Sequence, residues 1–445
     1  MFSNIFITLA LLLITTLLLA RFIKLPRNIW LLFMAQPLAM SASPVIVFTG
    51  AILATEMIED PSLATLPITM MILGVASASI PAALMAKRMG RKFATLTGFS
   101  SSLIASLFAL ISTKIASFEL FVFASLLFGV GAAFTQQIRF AAIESTQNIN
   151  DVPKVLSILM LSGLFAAFLG PEIAVAAKEL ITSPFGYAGS FLVLGVLILL
   201  AMVIMVDFKN PVMNESIDSG SARPLRVIVK QPIFVVAILA ATIGYALMSY
   251  LMTATPISMH KMHGHNLQET KWVIQSHIAA MFIPSLFTTW LVQKLGLKSL
   301  LFAGSLIYAV VAIVALSGQQ VIHYWWALIL LGIGWNFLFL TGTSLLPLSY
   351  NNSERHKIQA FNDFILFGFQ AIASLMAGWV LFNAGWYFVI LSSMPFIIIL
   401  FAITFYFYQM EKKKPSYRLR KRLISEVNTL KFTIYKNKKL CDITQ

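Results

Sequence analysis

Thirteen apolar runs recur along this chain, at roughly 2–22, 29–54, 64–86, 93–113, 118–143, 154–177, 186–206, 232–256, 271–293, 299–317, 323–346, 358–382 and 384–408. Runs of about 20 residues match a bilayer core about 30 Å thick at 1.5 Å of helical rise per residue. Inside lipid each backbone N–H and C=O must find its partner within the segment, so every run is predicted to be a helix. The strand-period alternation that an outer-membrane barrel needs is missing from these runs. Only 11% of the residues are charged, against about 25% in a soluble domain. The fold class is therefore all-α, a polytopic membrane protein.

Charge then orients the helices. The formal net charge of +15 is sorted by loop: alternate loops and the tail after Tyr408 hold 27 of the 32 lysines and arginines. The other set of loops holds only Lys114, Lys178, Lys261 and Lys271, while Arg139 falls inside a run. Basic loops stay on the cytoplasmic side, so the charge reports topology, and nucleic acid is excluded as a partner. The expected location is the cytoplasmic (inner) membrane, multi-pass, with the C-terminus in the cytoplasm. The one cysteine, Cys441, excludes an internal disulfide.

The first run lacks the basic start and small-residue cleavage site of a secretory signal, and "RFIKLPR" follows it. Residues 1–28 are thus expected to be an extra transmembrane helix with a cytoplasmic link. The polar stretch 207–231 divides the other twelve runs into six-helix halves at 29–206 and 232–408. A basic cytoplasmic tail, 409–445, follows, with Leu419, Leu423, Val427, Leu430 and Ile434 at near-helical spacing among its charges. The halves also repeat. "AALMAKRMGRK" (82–92) and "TTWLVQKLGLK" (288–298) each follow the second helix of a half, and their glycines, Gly90 and Gly296, lie 206 residues apart.

Through this motif, the duplication and the six-plus-six count, the chain resembles the major facilitator superfamily over residues 29 to about 408. Arg88, Gly90, Arg91 and Lys92 match that family's G-x-L-x-D-R-x-G-R-R/K signature, whereas Ala83 and Lys87 depart from it. The resemblance implies alternating access to a central site between the halves. It also implies a latch at the cytoplasmic face, expected here from Arg88, Gly90 and Arg91 with Asp363 as a carboxylate partner. The family's fourth-helix arginine position holds Ser125, and only the Gly170-Pro171 core remains of the fifth-helix antiporter pattern.

Charges inside spans are costly to insert, by about 2.5–3.5 kcal/mol each, so each is a functional candidate. Arg139 offers a planar fork to an anionic substrate, with Gln136 beside it on a polar wall. Glu172 directly follows Gly170-Pro171, where backbone pairing is loosened, and is the expected proton-coupling group. Trp335 and Asn336 in "GIGWNFLFLTG", and His277 in "VIQSHIAAMF", are the remaining substrate-binding candidates. His260, His263 and His265 fall in a loop whose spacing does not define a metal site, so no metal and no cofactor is expected.

These features describe a secondary active transporter of a small organic solute such as a siderophore or a vitamin, which Arg139 marks as anionic, coupled to protons. Proton-driven efflux of amphipathic compounds, and a non-transporting receptor or scaffold on the same fold, remain open as alternatives. No G-x-x-x-x-G-K-[ST] nucleotide loop and no nucleophile–base constellation occurs, so no enzyme is expected.

Overall fold

The computed structural model describes residues 2–146, 151–211 and 223–412. The tail beyond 412, with its apolar spacing, lies outside the described residues. Among them the regular structure is entirely helical.

The extra run forms α1, Ser3–Phe22. The first core span is α2 (Arg27–Met40) and α3 (Ala42–Met57), separated at Ser41. Then come α4 (Leu66–Met89), α5 (Arg91–Ile115), α6 (Phe118–Gln136), α7 (Ile138–Glu144), α8 (Val152–Ala176) and α9 (Ala188–Val206). The connector carries a single turn, α10 (Leu225–Ile228). The second half comprises α11 (Pro232–Ile257), α12 (Leu267–Phe282), α13 (Thr288–Leu316), α14 (Val321–Leu345) and α15 (Arg355–Lys412).

Eleven stretches of the described residues are long and apolar enough to cross a membrane. The thirteen runs map onto them for two physical reasons. Pro284 removes an N–H and breaks the eighth core span into α12 and a 3-10 turn at Ile283–Phe287. The last two runs sit in one continuous α15, which reverses at Gly385 (φ 79°, ψ 175°).

The repeated glycines have the same conformation. Gly90 lies at φ 88°, ψ 160° between α4 and α5. Gly296 lies at φ 75°, ψ 158° within α13, where the eighth span turns into the ninth. A side chain is strongly disfavoured there, so a glycine reverses the chain after the second helix of each half.

Within the first half α2 packs on α8 and α9, α4 on α6, and α5 on α6 and α9; within the second, α11 packs on α14 and α15, and α13 on α14 and α15. The halves meet along α4–α15, α8–α12 and α3–α11. The second helix of each half thus faces the fifth of the other, as a duplicated bundle requires. Helix α1 lies outside this arrangement against α8 and α2, burying a narrow stripe of Ile5, Leu12 and Thr16.

Candidate functional site

The seam between the halves has two different ends. At the end away from the basic loops it is closed by four polar contacts. Lys261 at the end of α11 pairs with Glu56 of α3. Thr65 donates to the Leu375 carbonyl on α15 at 3.3 Å, and a Cβ on Gly378 of α15 would stand 2.6 Å from Thr65 Oγ1. Gln275 of α12 donates to the Phe168 carbonyl of α8 at 3.0 Å. Lys271 Nζ of α12 lies 2.7 Å from Glu172 Oε2 of α8, and both residues are buried. The second oxygen of Glu172 accepts from Asn4 Nδ2 at 3.1 Å. An ion pair this enclosed needs further hydrogen bonds to offset its desolvation, and Asn4 supplies one.

Toward the basic end the seam carries exposed polar groups. Arg139, on the short α7 after the break at Gln137, is exposed, as is Gln136. Its guanidinium lies 4.8 Å over the Phe140 ring. Asp363 of α15 and Tyr245 of α11 lie near enough for their charge and dipole to act on Arg139 across the seam. Tyr245 in turn meets an aromatic group: Trp335 at 5.1 Å and Phe339 at 5.5 Å on α14, and Phe367 at 6.2 Å on α15. Trp335 and Phe339 are stacked, 5.1 Å apart with 7° between planes. The Trp335 indole N–H is buried without a partner among the described residues, as is the Thr242 hydroxyl three residues before Tyr245. An unpaired buried donor costs about 1–3 kcal/mol. The arrangement joins a flat apolar wall, two unpaired polar atoms and a guanidinium within electrostatic reach of a carboxylate, which suits an aromatic solute with hydrogen-bonding edges.

The other candidate residues stand elsewhere. His277 is wholly buried on α12, its Nδ1 donating to the Leu328 carbonyl of α14 at 2.7 Å. Asn336 turns from Trp335 toward the broken eighth span, where Nδ2 donates to the Met281 carbonyl at 2.8 Å and to Ser285 Oγ at 2.6 Å. It thus satisfies a carbonyl in the last turn of α12, just before the break at Pro284. Glu172, expected within the transport path, lies at the closed end instead.

The latch residues also have other partners in this conformation. Arg91 grips Glu144 with two nitrogens, one at 2.8 Å, and reaches Gln137 Oε1 at 3.3 Å. Both partners belong to its own half. Lys92 donates through its backbone N–H to Asn210 Oδ1 at 2.8 Å, and Arg88 is exposed. Asp363 accepts from Asn362 Nδ2 at 3.1 Å, and among the described residues no ion pair joins it to Arg88 or Arg91 in this conformation. The three loop histidines are tied down rather than solvated: His260 Nδ1 bonds to the His265 carbonyl at 2.8 Å, His263 Nδ1 to the Ser258 carbonyl at 2.8 Å, and His265 Nε2 to the Gln319 carbonyl at 2.7 Å. No group of three metal-ligating side chains occurs among the described residues.

Sequence reasoning missed Tyr245, Phe339, Phe367, Lys271 and Asn4. The aromatic residues gave no signal in a chain with 36 phenylalanines. Lys271 was discernible as one of four basic residues on the sparse side.

Comparison with known proteins gives a consistent assignment. The profile of the Major Facilitator Superfamily matches residues 29–362 and 243–439. A curated relative, the riboflavin transporter RfnT of Brucella anthropi, is 36% identical over 362 residues, covering 81% of this chain and 90% of the relative. Two Bacillus subtilis proteins described as uncharacterized MFS-type transporters are also similar. YddS is 28% identical over 83% of this chain and 88% of its own length. YdeG is 26% identical over 76% of this chain and 82% of its own length. With twelve core helices in two halves, one glycine turn repeated in each, and a profile match across most of its length, the chain belongs to the major facilitator superfamily.

Proposed function

We propose that this protein carries a flat aromatic, hydroxyl-bearing solute of the riboflavin class across the cytoplasmic membrane, by alternating access with the basic end in the cytoplasm. The observation that carries this reading is the wall formed by Tyr245, Trp335, Phe339 and Phe367, with its unpaired buried indole N–H, opposite Arg139. A tricyclic ring stacks on such a wall, and its carbonyl and hydroxyl groups satisfy the indole, Thr242 and the guanidinium. The relative named as a riboflavin transporter supports the same class. Riboflavin is uncharged near pH 7, so Arg139 serves it as a hydrogen-bond donor rather than as a counter-ion.

Coupling to protons belongs to the proposal, and its group is Asp363. Glu172 lines a groove at the closed end. Glu172 is held by Lys271 across the halves at that end, so it is assigned to holding the gate. Asp363 sits beside Arg139 at the seam, where substrate and proton can favour the same conformation.

The test is uptake of labelled riboflavin into proteoliposomes with an imposed pH gradient. Saturable accumulation, suppressed by unlabelled flavin, is expected. Asp363→Asn is expected to abolish accumulation against the gradient while keeping substrate exchange. Absence of saturable flavin uptake overturns the substrate class, and outward transport of amphipathic compounds would favour efflux.

A further inference from the structure

Helix α1 stands outside both halves, yet its first turn reaches the contact that joins them. Most of its surface is exposed and apolar, and only about one residue in six is buried, which the 17% burial of its apolar window expresses. Among the described residues its one side-chain hydrogen bond to another helix is Asn4 Nδ2 to Glu172 Oε1. The other two, from Thr8 and Thr16, return to α1's own carbonyls. The residues around it line an open groove of about 690 Å³ in which Asn4, Glu172, Lys271 and Glu269 take part.

We propose that Asn4 is a positioning residue for the gate, and that through it α1 holds the end opposite the basic loops closed. The argument is one of shared atoms. Glu172 has two carboxylate oxygens. Lys271 from the second half takes one, and Asn4 takes the other. The amide fixes the plane of the carboxylate so that Oε2 points at the ammonium, and it supplies a donor that the buried anion needs. Opening this end withdraws Lys271 with α12 and lets water reach Glu172, so the amide's hold on Oε1 counts toward the closed state, where no water competes for that oxygen. A hydrogen bond to a charged group is worth enough to shift such a two-state balance about tenfold. Gln275, one turn beyond Lys271 on the same seam and bonded to the Phe168 carbonyl, closes with it.

This inference rests on the alternating-access reading, and its test separates the two. A single cysteine is placed at Gln275→Cys in a Cys441→Ser background, and a membrane-impermeant maleimide is added outside right-side-out vesicles. Asn4→Ala is expected to raise the labelling rate about tenfold. Lys271→Met, which removes the other partner, is expected to raise it at least as much, and Asn4→Asp, which sets a second carboxylate against Glu172, more than Asn4→Ala. Detergent-solubilised Asn4→Ala protein is expected to melt within a few degrees of the parent, which separates gate loosening from misfolding. Unchanged labelling in Asn4→Ala alongside faster labelling in Lys271→Met would overturn the proposal and leave α1 a passive anchor. Unchanged labelling in both variants would overturn it too, by removing the bridge as a gate. Flavin uptake is measured separately: its absence with the expected labelling pattern sinks the substrate assignment and leaves the gate role of Asn4 intact.

Discussion

Arg139 shows how much one side chain can be asked to do at a seam. It is exposed, yet it shares its surroundings with Asp363, Tyr245 and the Phe140 ring. Its planar fork can hold two acceptors at fixed angles while the face stacks, which an ammonium cannot do. Arg139→Lys preserves the charge and loses the fork. The expected outcome in the uptake assay is a KM raised about tenfold with a smaller change in maximal rate, because one or two directed hydrogen bonds to the solute are lost. An unchanged KM would show that only the positive charge matters. At the same scale, Glu172 shows the limit of reading a residue from its neighbours in sequence. Gly170-Pro171 marks a place where a polar group matters, but which helix answers it depends on Lys271, 99 residues away.

At the level of elements, the connector between the halves is held by a contact that the sequence did not advertise. Arg223 donates through Nε and its backbone N–H to Glu354 Oε1, both at 2.7 Å, and through a terminal nitrogen to Oε2 at 2.7 Å. The hydrogen bonds from Arg223 hold the Glu354 carboxyl well below the usual range, at about 2 against 4.5. A depressed carboxylate stabilises the folded state above its unfolded pKa and loses that contribution as the pH falls through the folded value. Arg223→Ala is therefore expected to lower the melting temperature of solubilised protein at about pH 6, and the gap to the parent is expected to close as the pH falls from about 4.5 toward 2. A gap independent of pH would show that the pair does not anchor the connector. The helices themselves were legible because about 20 apolar residues in lipid have one backbone solution, and the glycine turns because their duplication placed them at equal depth in each half. The site was legible only in its charges. Arg139 and Asp363 stand out against an apolar background, whereas Tyr245, Phe339 and Phe367 become a wall only when α11, α14 and α15 come together. His277 and Asn336 read as site residues on polarity alone, but a buried imidazole and a buried amide can equally serve a neighbouring helix, and here both do.

For the whole molecule, the odd number of crossings follows from α1. If basic loops mark the cytoplasm, thirteen crossings among the described residues place the start of α1 outside and the end of α15 inside. A reporter active only in the cytoplasm is expected to work when fused after Gln445 and to fail at the N-terminus; activity at both ends would remove α1 from the membrane. The two ends of the connector add a separate consequence. Asp207 pairs with Arg27, Lys209 accepts from Asn28 at 2.8 Å, and Asn210 holds Lys92, all in the first half. Arg223 and Gln231 are bound to Glu354 and the Ser349 carbonyl, both in the second. Each half thus keeps its own end of the chain by non-covalent means, and the peptide between 211 and 223 is not needed to bring either end to its place. Severed there, the gene would encode two fragments of near-equal length, α1 with the first six-helix half and the second six-helix half, each carrying its own share of the seam. Co-expressed, they are expected to assemble in the bilayer as two subunits through the seam contacts of α4 with α15, α8 with α12 and α3 with α11.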